Sequence, residues 1–165
     1  MFNNFYKNKN ILITGHTGFK GTWLTLWLFI LGAKITGISN SFYTKPSHFK
    51  SLKLKRKIKH VSLDISKIEL LNRVIKKNKP DIIFHLAGQS MVKKSFSNPL
   101  ETWKTNSLGT INILECLRKN NKKCILIIIT SDKSYKNLEI ERGYKETDLI
   151  GGEDPYSASK SSAEL

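Results

Sequence analysis

Gly15-His16-Thr17-Gly18-Phe19-Lys20-Gly21 is the stretch that decides the fold of this chain. It follows the β-branched run Asn10–Thr14 and leads into a long apolar segment. Glycines between a strand and a helix allow a tight turn, and the free N–H groups and dipole at the helix start favour a diphosphate. The G-x-x-G-x-x-G spacing in a first βα unit predicts a dinucleotide-binding turn, with a plain strand-to-helix turn as the alternative.

Outward from this turn, short β-branched runs alternate with longer amphipathic segments. This alternation is typical of a parallel sheet with helices on both faces. It predicts an α/β fold with a doubly wound, mostly parallel sheet of the dinucleotide-binding Rossmann type, which stops before the sixth strand. The predicted strands are 10–14, 34–38, 59–63, 81–86 and 124–130, and the predicted helices are 19–31, 66–78, 98–118 and 155–165.

Side-chain spacing predicts how the first helix packs and ends. Phe19, Trp23, Trp27 and Leu31 recur every four residues, so we expect them to form one buried helical face. Gly32 follows as a left-handed carboxyl-terminal cap.

Start signals and apolar spacing mark the later helices. Asn98-Pro99 and Asp154-Pro155 each combine a capping side chain with a proline at the first helical position. In the helix predicted at 66–78, the spacing turns three apolar residues inward: Ile68, Leu71 and Ile75.

Length and composition restrict the class of protein. The 165 residues fit one compact domain, and 39% hydrophobic with 25% charged residues is globular composition. No run approaches the roughly 20 apolar residues of a membrane-spanning helix, and no export signal is visible. Cys116 and Cys124 lack the spacing of a metal knuckle or redox motif, and the four histidines are scattered singly. We therefore predict a cytoplasmic protein with reduced thiols and no metal.

The formal net charge of +15 raises the question of a nucleic-acid partner. Much of the excess lies in residues 45–59, which hold seven basic residues and no acidic one. Phe49 is the aromatic residue within this run, and no reading motif for nucleic acid is present. We therefore predict a solvated basic loop that attracts an anionic small ligand, and neither a nucleic-acid nor a membrane partner.

Candidate catalytic residues lie near the end of the chain. Tyr156 and Lys160 are four residues apart on one predicted helix, so they share a face, and a nearby ammonium favours the phenolate that takes a proton during hydride transfer. Ser131, Asp132 and Lys133 follow the fifth strand, at the edge where ligands of open α/β sheets bind. We predict that Ser131 binds the reacting oxygen and that Asp132 and Lys133 act as acid and base. An exposed helix pair and a solvated turn are the alternatives.

The adenosine end of the predicted site lacks its usual acidic residue. Ile38-Ser39-Asn40-Ser41 occupies the end of the second strand, where an acid normally binds the ribose, so the local residues leave NAD and NADP both open. Asp64 with Ile65, after the third strand, is predicted to contact the adenine edge, and a helix cap is the alternative role for Asp64.

Together these motifs resemble the extended short-chain dehydrogenase/reductases, and among them the CDP-glucose 4,6-dehydratase family, over nearly the whole chain. The most discriminating matches are the turn 14–21 and Ser131-Asp132-Lys133. In place of Ser131-Asp132-Lys133, dTDP-glucose dehydratases usually have Thr-Asp-Glu. The other matching segments are Trp23-Leu24, Leu26-Trp27-Leu28, Phe84-His85-Leu86-Ala87-Gly88-Gln89, Thr105-Asn106, Gly109-Thr110, Thr130, Tyr135, Gly151-Gly152, Asp154-Pro155-Tyr156-Ser157, Ser159-Lys160 and Ala163-Glu164-Leu165.

The resemblance implies an internal oxidation and reduction of CDP-glucose, with NAD as a recycled cofactor, in the biosynthesis of deoxysugars such as those of lipopolysaccharide O-antigen. Tyr156 would take the proton of the hydroxyl at carbon 4, with Lys160 on the nicotinamide ribose and Ser131 on the reacting oxygen. Asp132 would protonate the hydroxyl that leaves carbon 6, and Lys133 would assist removal of the proton on carbon 5. The implied cofactor-binding residues are Gly15, Thr17, Gly18, Phe19, Lys20, Gly21, Asp64, Ile65, Leu86, Ala87, Gly88, Thr105, Thr130, Tyr156 and Lys160.

The resemblance also implies a homodimer and a longer protein. Family members pair through a helix bundle, which here corresponds to helices 98–118 and 155–165, and they continue into a lobe that binds the nucleotide sugar. We therefore expect residues 1–165 to form an incomplete dinucleotide-binding domain that turns over CDP-glucose very poorly. The chain departs from the family at Gly88, where alanine is common, and at Glu153, where an aromatic residue is common. The alternatives are a catalytically silent NAD-binding fragment or subunit, or another nucleotide-sugar dehydratase or epimerase.

Overall fold

The computed structural model describes residues 2–42, 45–120 and 123–165. These residues form a five-stranded sheet in the order β3-β2-β1-β4-β5 with every pair parallel, so the predicted doubly wound α/β fold is confirmed. The strands are β1 (Asn10–Thr14), β2 (Lys34–Ser39), β3 (Lys59–Ser62), β4 (Ile82–His85) and β5 (Ile125–Ile128). The α-helices are α1 (Phe19–Ile30), α2 (His48–Ser51), α3 (Ile68–Asn78), α4 (Val92–Ser97), α5 (Pro99–Trp103), α6 (Gly109–Asn120) and α7 (Pro155–Glu164).

The chain divides into two compact units. The first unit holds the chain up to Ala87 together with Asn112–Ile129, and it contains the whole sheet. The second unit holds Gly88–Ile111 and Thr130–Leu165. Within the residues that the structure describes, no helix is both long enough and apolar enough to cross a bilayer.

The core of the first unit lies on both faces of its sheet. Leu12 and Ile83 are paired across β1 and β4 and are fully buried, so truncating either to alanine costs about 2–5 kcal/mol. Continuous burial along β1 and β4 follows from helices on both faces. One cluster contains Leu12, Ile38, Leu63, Ile65, Leu71, Ile75, Ile83, Ile113 and Cys116, and the other contains Ile11, Ile13, Leu28, Ala33, Ile35, Ile82 and Phe84.

The prediction that the aromatic residues of α1 face the core is wrong. Phe19, Trp23 and Trp27 are 75%, 51% and 48% exposed. The helix turns a face of mostly small residues inward because Gly21 lies directly against the backbone of Gly15, which leaves no room there for a large side chain. The buried residues of α1 are Gly21, Thr22, Thr25 and Leu28.

The fifth strand is shorter than the predicted 124–130, and it is not fully buried on either face. Ile125 and Ile127 are 52% and 37% exposed, whereas Leu126 packs against the first cluster. The side chains of β5 alternate between exposed and half-buried, so its continuous apolar sequence does not reflect burial on both faces.

The single helix predicted at 98–118 is divided. A π turn at Lys104–Leu108 separates α5 from α6, and α4, which the spacing did not predict, ends at Ser97 just before it. The Asn98 cap is wrong, since its side chain makes no cap hydrogen bond and donates to Ser97 Oγ at 3.2 Å. By contrast, the Asp154 cap is confirmed. The inward residues of α3 and the left-handed Gly32, with φ of 82°, are confirmed too.

Candidate functional site

The glycine turn closes tightly at the carboxyl end of β1. Gly15 has φ of 73°, and its N–H donates to the carbonyl of Ile38 at 2.8 Å. A Cβ on Gly15 would lie 2.7 Å from the backbone nitrogen of Ala87 and 2.8 Å from the carbonyl oxygen of Leu86. Glycine is therefore required at position 15 both by its conformation and by the approach of the chain after β4.

The first turn of α1 lies directly against the glycine turn. A Cβ on Gly21 would overlap the carbonyl oxygen of Gly15, so the helix start stays close to the turn. Gly18 is half-buried and caps the helix without a side-chain hydrogen bond, and both Phe19 and Lys20 are exposed. The unpaired N–H groups at a helix start and the dipole attract an anion. The residues present thus fit the diphosphate of a dinucleotide.

Two buried polar residues that the sequence analysis missed position the edge beside this turn. Thr14 Oγ1 lies 2.7 Å from His85 Nδ1 and accepts a hydrogen bond from the backbone N–H of Ala87 at 3.1 Å. These contacts fix the segment Leu86-Ala87, both predicted to contact the cofactor. The signal was present in the sequence, because Thr14 and His85 are polar residues at the ends of apolar buried strands.

His16 is a third buried polar residue to which the sequence assigned no role. Its ring is fully buried against Gly37, where a Cβ would overlap it, and its Nε2 lies 2.8 Å from Nδ1 of His60. Burial lowers the pKa of His16 to about 4, and the neighbouring His60 acts in the same direction. Two histidines that are 44 residues apart therefore form a pair. No group of three potential metal ligands occurs in the described segments.

Hydroxyl groups form hydrogen bonds at the carboxyl end of β2. Thr17 Oγ1 lies 2.6 Å from Ser39 Oγ and donates to the carbonyl of Ser41 at 2.7 Å. Asp64 accepts a hydrogen bond from the N–H of Ser66 at 2.9 Å, which is a local turn before α3, and the adjacent Ile65 is buried in the core.

In the second unit, α7 holds the predicted tyrosine and lysine. Asp154 accepts a hydrogen bond from the N–H of Ser157 at 3.0 Å and so fixes the start of the helix. Tyr156, in the first turn, is 9% exposed. A Cβ on Gly88 would lie 3.4 Å from Lys160 Nζ, so the bare backbone of Gly88 leaves room for the ammonium group.

Asn106 connects this helix to the chain around Gln89. Its Oδ1 accepts from the N–H of Gln89 at 2.8 Å, and its Nδ2 donates to the Gln89 carbonyl and to Ser159 Oγ at 3.1 and 2.9 Å. The buried amide is thereby satisfied. The neighbouring Thr105 is half-buried, and its hydroxyl points to Glu101 at 3.4 Å.

Ser131, Asp132 and Lys133 form one turn, directly after the half-buried Thr130. Ser131 Oγ donates to Asp132 Oδ1 at 3.1 Å, and Lys133 Nζ lies 3.4 Å from Asp132 Oδ2. Slight burial raises the pKa of Asp132, but the hydrogen bonds from Ser131 and Lys133 outweigh it, so the pKa lies below its usual range. Ser161 Oγ donates to the carbonyl of Ser134 at 2.8 Å and ties this turn to α7.

Comparison with known proteins defines the class to which this arrangement belongs. The family model described as GDP-mannose 4,6 dehydratase matches residues 12–165, and the chain belongs to that family. The CDP-glucose 4,6-dehydratase of Salmonella typhimurium is 43% identical over 98% of this chain and 45% of its own length.

Two solved structures agree with the fold. The dTDP-glucose 4,6-dehydratase of Bacillus anthracis, in complex with NAD, is 27% identical with a TM-score of 0.75, over 93% of this chain and 47% of that one. The epimerase Mth375 of Methanothermobacter thermautotrophicus is 28% identical with a TM-score of 0.82, over 97% and 46%. The chain thus spans about half the length of these relatives.

Proposed function

We propose that this chain is the cofactor-binding part of an NAD-dependent, cytoplasmic nucleotide-sugar 4,6-dehydratase that converts CDP-glucose to CDP-4-keto-6-deoxyglucose. The observation that carries the proposal is the 43% identity, over 98% of this chain, to an enzyme of that name. The geometry supports it, because the glycine turn fits a diphosphate and one helix carries both Tyr156 and Lys160.

In the first unit, the residues of the turn bind the dinucleotide. The N–H groups of Phe19 and Lys20 face the diphosphate, and the Lys20 side chain adds a positive charge. Gly15 and Gly21 let the first turn of α1 lie close to the end of β1, Gly18 caps the helix, and Leu86 with Ala87 follows the neighbouring strand β4. Thr17 belongs to the adenosine side of the site, with Asp64 and Ile65 further along the sheet edge.

In the second unit, Tyr156 starts the chemistry. NAD, when bound, supplies the hydride acceptor for carbon 4 of the sugar and later the hydride donor for carbon 6. The Tyr156 phenolate takes the proton of the hydroxyl at carbon 4, while Ser131 donates a hydrogen bond to that oxygen. Lys160 binds the nicotinamide ribose, and Gly88, Thr105 and Thr130 are the other residues assigned to this end of the cofactor.

The Asp132–Lys133 pair performs the loss of water. Lys133 takes the proton from carbon 5, which the ketone at carbon 4 has made acidic, and Asp132 gives a proton to the hydroxyl that leaves carbon 6. Because its pKa lies below its usual range, the Asp132 carboxylate needs a proton source before it can act as an acid. Lys133 Nζ, at 3.4 Å, is close enough to provide that proton.

We also propose that the chain forms a homodimer through the helices at 98–118 and 155–165. In the second unit, four large apolar residues on consecutive turns are between 40% and 67% exposed: Leu100, Trp103, Leu108 and Ile111. A row of exposed apolar side chains of this size is typical of an interaction surface.

Titration and product analysis test the proposal in two arms. In the first arm, the 165-residue chain is titrated with NAD by calorimetry, and we expect saturable binding. In the second, the chain is fused to the remaining half of the Salmonella typhimurium enzyme, and we expect a 4-keto-6-deoxy product from CDP-glucose, identified by NMR. Tyr156→Phe in the fusion is expected to reduce turnover by about 10²–10⁴-fold.

Each arm has an outcome that contradicts the proposal. A folded chain that does not bind NAD would exclude the cofactor assignment. A fusion that prefers dTDP- or UDP-glucose, or that yields an epimer, would assign the chain to another enzyme of the family. A fusion that binds NAD but forms no product would favour a catalytically silent binding subunit.

A further inference from the structure

The end of β2 is built from neutral groups. Ser39 is the last residue of β2, and its hydroxyl lies 2.6 Å from Oγ1 of Thr17 in the glycine turn. Both hydroxyls also lie within hydrogen-bond distance of the Ser41 carbonyl, at 3.1 and 2.7 Å. Ser39 and Thr17 are 7% and 5% exposed, so their positions are fixed.

This position usually distinguishes the two nicotinamide dinucleotides. In Rossmann folds an acidic residue about 20 positions after the glycine motif binds the ribose 2′-hydroxyl, and the same carboxylate repels a 2′-phosphate. Counting from Gly18, that position falls on residues 38–41, where the chain has no acid. The first acidic residue in the whole sequence is Asp64, which is bonded to the N–H of Ser66.

The surroundings of this edge are cationic. Before Asp64 the chain contains eleven lysine and arginine residues and no carboxylate. Lys50 Nζ lies 4.6 Å from the ring centroid of Phe42, which directly follows Ser41. Lys50 belongs to helix α2, which is anchored by the buried Phe49. The ring centroid of Phe49 lies 5.0 Å from that of His16 in the glycine turn. A lysine is therefore held beside the end of β2.

We infer that the dinucleotide site of this chain accepts NADP as well as NAD, with Ser39 and Ser41 as the residues that permit the 2′-phosphate and Lys50 as a cation that attracts it. The inference rests on the proposed function and concerns the adenosine end of the same site. A phosphate monoester carries nearly two negative charges at neutral pH, so a neutral edge removes the repulsion and an ammonium adds attraction. We expect the two dissociation constants to agree within about tenfold at physiological ionic strength, and NADP affinity to fall more steeply with added salt.

Calorimetric titration of the 165-residue chain with NAD and with NADP tests the inference. Ser39→Asp is expected to weaken NADP binding by at least about tenfold relative to NAD, because the new carboxylate faces the phosphate. Ser39→Asn is the matched neutral control and should keep both ligands. Because Ser39 is buried, Ser41→Asp with Ser41→Asn provides a second, half-buried pair with the same expected contrast.

A charge-matched comparison tests the lysine. Lys50→Gln is expected to weaken the binding of NADP several-fold and to leave the binding of NAD nearly unchanged. Lys76→Gln on α3 removes the same charge elsewhere and should change neither affinity. Strong NAD binding with NADP at least about 100-fold weaker would overturn the inference and leave the proposed function intact. A folded chain that binds neither dinucleotide would overturn both. Equal effects of the Asp and Asn variants on the NADP-to-NAD ratio would exclude this edge as the determinant.

Discussion

Gly21 lies in the first turn of α1, where an added methyl group would have two opposing effects on stability. In most helix interiors, replacing glycine by alanine stabilises the fold by about 1 kcal/mol. Here a Cβ would overlap the carbonyl oxygen of Gly15 and lie 2.8 Å from Cα of His16. Both obstacles are backbone atoms, which cannot rotate away, so overpacking outweighs the gain in helix propensity.

Gly21→Ala is therefore expected to lower the free energy of unfolding by about 1–3 kcal/mol and to weaken dinucleotide binding. Urea denaturation and NAD titration measure the two effects. Gly143→Ala is the matched control, because nothing lies within 4 Å of its Cβ position, and it should be nearly neutral. If Gly21→Ala were as stable as Gly143→Ala, α1 would not approach the glycine turn as closely as in this structure.

His16 makes the stability of the first unit depend on pH. Its pKa is about 4 in the folded chain and 6.5 when unperturbed, so the unfolded chain binds more protons between these values. Stability is then complete above about pH 6.5 and decreases as the pH falls towards 4, by at most about 3 kcal/mol. Urea denaturation across this range measures the loss, and NMR of the imidazole measures the pKa. The slope should diminish in His16→Gln, and an imidazole that titrates near 6.5 would contradict the prediction.

Among the elements, α7 shows what local sequence determines. Asp154-Pro155 predicted a capped helix start, and the cap forms because Asp154 accepts hydrogen bonds from both the N–H and the hydroxyl of Ser157. Asn98-Pro99 carries the same signal, but α4 ends at Ser97 and the Asn98 side chain bonds to that residue instead. The signal located both helices, but whether the cap hydrogen bond forms depended on the preceding element.

Asp154→Ala is expected to destabilise the fold by about 1 kcal/mol, because it removes the acceptor for the Ser157 N–H and the favourable charge at the helix start. Asp154→Asn keeps an acceptor and should cost only a few tenths of a kcal/mol. Thermal or urea denaturation compares the variants. Equal losses in the two variants would show that the charge, and not the hydrogen bond, stabilises α7.

The parts of the fold and site that depend on local sequence were predictable, and those that depend on distant contacts were not. The sheet, its strands and the position of the glycine turn follow from local pattern, because buried strands and βα turns need particular residues in sequence. The exposure of the aromatic face of α1 was not predictable, since it depends on how closely Gly21 approaches Gly15. The His16–His60 pair was equally hidden, because its members are 44 residues apart and only the parallel order of the strands brings them together.

At the scale of the whole molecule, charge and apolar surface have different consequences. The net charge of +15 disfavours association of like copies through long-range repulsion, and salt screens it within about 8 Å at physiological ionic strength. Exposed apolar rows act in the opposite direction at contact. Self-association of this chain should therefore strengthen as salt is added, whereas anion binding should weaken.

Leu100 belongs to the exposed row of the second unit, and at 67% exposure it has the most apolar area to bury in a dimer. Leu100→Glu is expected to weaken the proposed dimer at least about tenfold, because burying an unpaired carboxylate costs more than the lost apolar contact alone. Sedimentation equilibrium at two salt concentrations measures the dissociation constant. Leu149→Glu is the control, since it changes a leucine that is 59% exposed in the loop before α7 and should leave association unchanged. A wild-type chain that stays monomeric at high salt would contradict the dimer, and equal weakening by both variants would assign the effect to added charge and not to the helix surface.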